Sequence, residues 1–193
     1  MKNIYYPLCC ILLFTACDNE DSDEDPTTDD GTFVLTSAAV ANGELLEAFK
    51  CESKTNDIEN SIPLAWENVP EGTASLAVMM YHFPNADDET QSNSYILLWD
   101  IDPSVTAIPY GTADDGAWYM GANKDGNTVS YTSPCSPSAG SHEYTITVYA
   151  LSETPASLPS ESTIAVDYET LKTAIESVTR IGSASLTFND VNE

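Results

Sequence analysis

The stretch HEYTITVYAL, residues 142 to 151, alternates polar and apolar side chains over ten positions. In an extended chain, alternate residues share one face. That face would carry His142, Tyr144, Ile146, Val148 and Ala150. The period of two, with β-branched and aromatic residues, predicts a β-strand whose first two positions bring polar groups to the rim of an apolar core.

Four other stretches have the same composition and are bounded by Pro, Gly, Asn, Ser or Asp. They cover residues 32–40, 75–83, 94–101 and 183–188. Together with 142–151 they predict a mainly β protein. One helix is expected near the C-terminus, where Asp167 can cap the sequence YETLKTAIESV, residues 168–178, and its apolar residues share one face. We expect that helix to pack on an edge or end of a sheet.

The N-terminus has the pattern of an exported lipoprotein. An apolar run from Ile4 to Ala16 is too short to span a bilayer, so residues 1–16 are predicted to be a signal peptide. The run ends LLFTAC, which resembles a bacterial lipobox and predicts lipidation of Cys17. Residues 17–30 are then the lipidated cysteine and an acidic, solvated tether. The expected location is the bacterial cell envelope, with a membrane anchor and with outer-membrane surface exposure left open.

The remaining residues, 31–193, are the usual size of one domain. The chain has 31 acidic and 6 basic side chains, a net charge of −25. This charge argues against a nucleic-acid partner and against binding of the folded body to an anionic lipid surface. The sequence does not identify a protein partner.

The mature chain would retain two cysteines outside the lipidation site, Cys51 and Cys135. Export permits a disulfide between them. Two buried free thiols are the alternative, and the sequence does not decide between the two.

Local chemistry gives a binding site more support than an active site. His142 and Tyr144 at the rim of a core could line a pocket mouth and donate hydrogen bonds, or could be a structural pair satisfied by loop carbonyls. We find no Gly-x-Ser-x-Gly elbow, and the two histidines of the chain, His82 and His142, lack the spacing of a zinc motif. The sequence therefore predicts no enzyme, no cofactor and no metal.

Two segments, SIPLAWENVPEGTASLAVMMY (61–81) and GANKDGNTVSYTSPCSPSAGSHEYTITVYAL (121–151), resemble the phosphatidylethanolamine-binding protein (PEBP) family, in its bacterial Raf-kinase-inhibitor-like branch. Family members have Ser-Pro-x-Leu-x-Trp, Val-Pro-x-Gly-Thr and a Gly-Pro-Cys-Pro-Pro loop leading to Gly-x-His-Arg-Tyr. The matching residues here are Leu64, Trp66, Val69, Pro70, Gly72, Thr73, Ser75, Leu76, Pro134, Cys135, Pro137, Gly140, His142, Tyr144, Tyr149, Ala150 and Leu151. The resemblance implies an antiparallel β-sandwich with a C-terminal α-helix and a small pocket for phosphate, acetate-like groups or phospholipid headgroups.

The chain departs from the family pattern around that pocket. Phe83 and Asn85 stand where the family has two acidic residues, Tyr95 stands where it has a second histidine, and Glu143 replaces an arginine. These changes predict a more aromatic and less ionic cavity. His82 could replace the missing histidine, but on strand alternation it points opposite Phe83, which argues against that role.

We therefore expect a lipid-anchored, non-enzymatic binding protein with a small pocket for an anionic or polar small molecule or headgroup. The alternative is a surface protein-interaction or inhibitor scaffold whose pocket is vestigial. The predicted ligand-binding residues are His142, Tyr144, Tyr95, Phe83, Asn85 and Pro137.

Overall fold

The computed structural model describes residues 1, 31–51, 60–85, 91–135 and 138–192. The predicted signal peptide, the lipidation site Cys17, the acidic tether and Pro137 lie outside these residues. Residues 31–193 form one compact unit. Across the described part of the chain, no helix has the length and apolar character needed to cross a membrane.

The structure is mainly β, as predicted. Its strands are β1 (Val34–Thr36), β2 (Val40–Ala41), β3 (Glu44–Leu45), β4 (Leu64–Glu67), β5 (Ser75–His82), β6 (Asn93–Ile101), β7 (Ala107–Ile108), β8 (Tyr119–Met120), β9 (Gly140–Leu151) and β10 (Arg180–Asn192). A short 3-10 helix, η1, spans Glu47–Phe49, and the α-helix α1 spans Tyr168–Glu176.

The strands form two sheets. A small sheet has the order β1-β4-β7, and a seven-stranded sheet has the order β2-β3-β10-β9-β5-β6-β8. The pairs are antiparallel except for β3 and β10, which run parallel where Asn189 meets Glu44. The predicted strand 32–40 is divided between the sheets, because the Ser37 hydroxyl accepts from the amide of Ala39 and donates to the carbonyl of Pro63.

Each face of the large sheet is covered by a separate apolar layer. One face packs on the small sheet, and this core contains Trp66 of β4 with Val78 of β5 and Ile146 of β9. The opposite face packs on α1, where Leu171 joins Met79 of β5. The predicted cap is present, since the Asp167 carboxylate accepts from the Thr170 amide at 2.8 Å. The expectation that the helix packs on an edge or end of a sheet is wrong: its apolar stripe is buried against the wide face of the large sheet.

Candidate functional site

The site lies where two central strands of the large sheet stop pairing. The last register pair between β5 and β9 is Tyr81 with Thr145. Beyond that pair β5 ends at His82, whereas β9 continues along β10 to Gly140. The missing strand length leaves a recess beside the first residues of β9.

Strand alternation brings an aromatic group to this recess. In β9 it places Tyr144 on the face that packs on the small sheet, and in β5 it places His82 on the same face, after Val78 and Met80. The rings of His82 and Tyr144 are stacked with centroids 4.9 Å apart. The His142 ring lies 6.0 Å from that of His82, so both histidines of the chain meet at the site.

A β-bulge adds Tyr95 to the group. Tyr81 pairs with Ser94 but Met80 pairs with Ile96, so Tyr95 is an extra residue on β6 and joins Ile96 on the same core face. Its ring packs edge-on against Tyr144 at 5.1 Å.

The two phenols are protonated at neutral pH. Burial above all raises the pKa of Tyr144, and a hydrogen bond with Tyr95 raises it further. Burial likewise raises the pKa of Tyr95, while its hydrogen bond with Tyr144 acts to lower that pKa. A hydrogen bond joins the two buried hydroxyls.

Two adjoining cavities open at this group. The first, which we call the tyrosine cavity, has a volume of about 240 Å³. Its lining consists of His82, Pro84, Asn93, Tyr95, Lys124, Cys135, Ser138, His142 and Tyr144. The second, the Glu143 cavity, has a volume of about 430 Å³. Its lining consists of Tyr81, His82, Phe83, Pro84, Ser141, His142, Glu143 and Thr145. The two histidines and Pro84 line both cavities, so the cavities share a wall.

Backbone carbonyls fix the tautomer of each histidine. His82 Nδ1 lies 2.7 Å from the Glu143 carbonyl oxygen, and His142 Nε2 lies 3.0 Å from that of Ser138. A carbonyl only accepts, so both of these nitrogens carry hydrogen. The other nitrogen of each ring is an acceptor when the ring is neutral and a donor when it is protonated.

The two cavities differ in charge. The tyrosine cavity includes Lys124, which is about one-third exposed and lies 3.7 Å from Asp125. The other cavity includes the carboxylate residue Glu143. The two imidazoles lie between the cavities. The first cavity suits an anionic group because it contains Lys124, and the second suits a cationic or hydrogen-bond-donating group because it contains Glu143.

The structure brings together three of the predicted residues, His142, Tyr144 and Tyr95. Phe83 lines the Glu143 cavity and packs on Tyr81 and on Tyr168 of α1, with centroids 5.2 and 6.1 Å apart, respectively.

Asn85 is exposed and is not among the lining residues of either cavity.

The position of His82 corrects the interpretation of the sequence. It does point opposite Phe83, but the face it points to is the one that carries Tyr144 and Tyr95. The alternation of Val78 and Met80, continued by one step along β5, would have predicted that His82 lies on this face. Lys124 lies in a loop, where the sequence has no period that predicts its position.

Cys51 and Cys135 are joined in a disulfide with Cα atoms 5.4 Å apart, and Cys135 lines the tyrosine cavity. Among the residues that the structure describes, no group of three or more His, Cys, Asp or Glu side chains is placed to hold a metal ion.

The two sheets and the cavities beside the end of β5 define a class, that of β-sandwich proteins with a small cavity at one end of a sheet. Comparison with known proteins makes this specific: the sequence profile of the phosphatidylethanolamine-binding proteins matches residues 36–189. The chain belongs to this family, whose members are generally non-enzymatic binding proteins. A curated relative, the UPF0098 protein of Aquifex aeolicus, is 30% identical over 135 residues, which are 64% of this chain and 70% of that protein.

Solved structures agree on the fold. A PEBP homologue from Chlamydia trachomatis superposes with a TM-score of 0.68 at 23% identity and covers 84% of this chain and 99% of its own. The E. coli protein YbcL, described as a new member of the mammalian PEBP family, superposes with a TM-score of 0.66 at 22% identity, covering 83% and 99%.

Proposed function

We propose that this protein is a lipid-anchored, non-enzymatic binding protein that holds a small anionic or polar ligand, such as a phospholipid headgroup. The observation that carries the proposal is the pair of histidines whose tautomers are fixed by the carbonyls of Glu143 and Ser138. Protonation converts the remaining nitrogen of each ring into a donor, beside Lys124 and the Tyr95 hydroxyl. An anion of the size of phosphate fits a cavity of about 240 Å³.

The adjoining cavity extends this specificity. Glu143 and the rings of Tyr81 and Phe83 suit an ammonium group, through charge and through cation–π attraction. Phosphoethanolamine carries an anionic and a cationic end, so it is the headgroup that would use both cavities.

We expect sulfate, whose charge is constant over the range, to bind more tightly at pH 5.5 than at pH 8. Acid favours the protonated imidazole, which donates from both of its nitrogens, so acid should favour the bound anion. A hydrogen bond to a charged group contributes about 1.5–3 kcal/mol, so His142→Gln should weaken binding at pH 5.5 by roughly tenfold or more. Calorimetry on residues 31–193 measures both effects.

The controls separate charge from position. Lys124→Met should weaken sulfate binding, whereas Lys172→Met, which removes the same charge from α1, should not. Glu143→Gln should weaken phosphoethanolamine more than phosphate. An affinity that is unchanged by pH and by His142→Gln would remove the histidines from the site. If none of these anions binds, the alternative is favoured, namely an interaction scaffold with a vestigial pocket.

The lipid anchor is a separate part of the proposal and rests on the lipobox-like sequence before Cys17. We expect chain purified from bacterial membranes to begin at Cys17 and to carry acyl chains, as measured by mass spectrometry of the N-terminal peptide. Cys17→Ser should leave the chain unacylated and out of the membrane fraction. Recovery of unmodified chain with residues 1–16 attached would contradict the anchor.

A further inference from the structure

The disulfide Cys51–Cys135 lies at the wall of the ligand site. Cys135 lines the tyrosine cavity and is exposed, whereas Cys51 is half-buried. An exposed disulfide is open to attack by a thiolate, and exposed disulfides are more easily reduced than buried ones. Reduction would therefore act directly on a wall of the cavity.

The other end of the disulfide is attached to a charge pair. Lys50, the residue before Cys51, donates from Nζ to the Val191 carbonyl at 2.8 Å. The same Nζ lies 3.7 Å from Oδ1 of Asp190, a carboxylate that is 1% exposed. A carboxylate this deep requires a compensating charge, so the position of Lys50 is tied to that of Asp190.

Asp190 connects this pair to the ligand site. Its register partner across β10 and β9 is His142. Its charge also contributes to the raised pKa values of Tyr144 and Tyr95, which burial chiefly causes. The disulfide, Lys50, Asp190 and the first residues of β9 thus form one connected unit around the cavity, which we call the brace.

We propose that the Cys51–Cys135 disulfide is a redox switch that acts through the brace to position His142 and the wall of the tyrosine cavity. This inference rests on the proposed binding function and adds a regulation to it. In the oxidised chain the disulfide ties the Cys135 wall of the cavity to the segment that carries Lys50. A dithiol reductant, a small molecule or a protein, supplies two electrons and two protons, and the S–S bond is replaced by two thiols while the reductant becomes a disulfide.

Reduction releases Cys135 from the segment that carries Lys50. That segment retains the Lys50 contacts and the edge-on packing of Phe49 on Tyr110, whose ring centroids are 5.6 Å apart. The Cys135 wall keeps no cross-link to it. Since Ser138, which holds His142, follows Cys135 closely, the loosened wall should change the surroundings of the His142 ring.

The full chain offers a direct test, because it has two histidines and both line the cavity. Every imidazole signal in an NMR spectrum therefore reports on the site. We expect dithiothreitol to shift the His142 signals and to weaken sulfate binding at pH 5.5 by about fivefold or more, a usual coupling between two sites. Reoxidation should restore both, and Cys51→Ser with Cys135→Ser should match the reduced chain and ignore the reductant.

Each result decides the inference. Alkylation and mass spectrometry show whether Cys51 and Cys135 are reduced. If the reduced chain has the same histidine signals and the same affinity for sulfate as the oxidised chain, the inference is overturned. Loss of the folded amide spectrum on reduction would also overturn it, since the disulfide would then be only a structural cross-link. If sulfate binds neither form, the proposed function fails, and the histidine signals alone decide whether the disulfide controls the cavity.

Discussion

Lys50→Met is expected to lower the free energy of unfolding by about 3–5 kcal/mol, the usual cost of removing one partner of a buried ion pair. The amine lies 3.7 Å from Asp190 Oδ1, whose side chain is 1% exposed, and Lys50 itself is 15% exposed. Methionine replaces the apolar stem and removes only the charge and its hydrogen bond to Val191. Urea denaturation of residues 31–193 measures the change.

The cost should be unequal for the two partners. Asp190→Leu should be the milder change, because Lys50 keeps a second carboxylate, Glu47, at 3.5 Å and can reach solvent. The double variant, Lys50→Met with Asp190→Leu, should recover much of the lost stability, since no buried charge remains.

A matched control is available at the surface. Lys124 pairs with Asp125 at the same distance of 3.7 Å, but their side chains are 34% and 59% exposed. Lys124→Met should cost less than about 1 kcal/mol, as is usual for exposed pairs. If Lys50→Met costs no more than this control, the carboxylate of Asp190 is compensated by other groups, and the brace does not depend on Lys50.

The sequence predicts the long strands well because their periods are local. β5, β6, β9 and α1 all lie within or close to the predicted stretches. The strands β2, β3, β7 and β8 have two residues each, which is too short for any period to be visible. β3, β7 and β8 each pair with a longer strand, and β2 pairs with β3.

β10 shows how distant contacts override a local pattern. The prediction covers 183–188, but the strand runs from Arg180 to Asn192. Gly182 and Asp190 suggest loops when the sequence alone is considered. Asp190 is nevertheless buried in the strand beside Lys50, a residue 140 positions away in the chain.

Sequence reasoning places only some of the residues that line the two cavities together. Tyr144 and His142 follow from the period of β9. Tyr95 reaches the site through a bulge on β6, and Lys124 reaches it from a loop. Neither a bulge nor a loop has a period, so the charge of the cavity could not be derived from the sequence.

Tyr144→Ala is expected to lower the free energy of unfolding by about 4 kcal/mol and to abolish sulfate binding. Removal of a buried aromatic side chain typically costs about 3–5 kcal/mol, and aromatic pairs add to this. The Tyr144 ring is 1% exposed and is stacked between His82 and Phe188, with centroids 4.9 and 5.6 Å away. Urea denaturation and calorimetry measure the two effects.

Tyr144→Phe separates the ring from the hydroxyl. The stack should survive, so the variant should lose only the hydrogen bond to Tyr95, a cost of about 1 kcal/mol. The freed Tyr95 oxygen still lines the cavity, so sulfate should bind within about tenfold of wild type. A phenylalanine variant as unstable as the alanine variant would mean that the hydroxyl, and not the ring, holds this region together.

The stack of Phe188, Tyr144 and His82 runs from the core to the cavity. Removal of the middle ring, that of Tyr144, should therefore lower both stability and sulfate binding. At the cavity end the two should separate: His82 is half-buried, so His82→Ala should weaken sulfate binding while costing less stability than Tyr144→Ala. At the core end, Phe188 is fully buried and lines neither cavity, so Phe188→Ala should act on binding only through stability. Sulfate binding should be compared under conditions in which the Phe188→Ala variant is fully folded. If the folded variant does not bind sulfate, the core residue sets the geometry of the cavity directly.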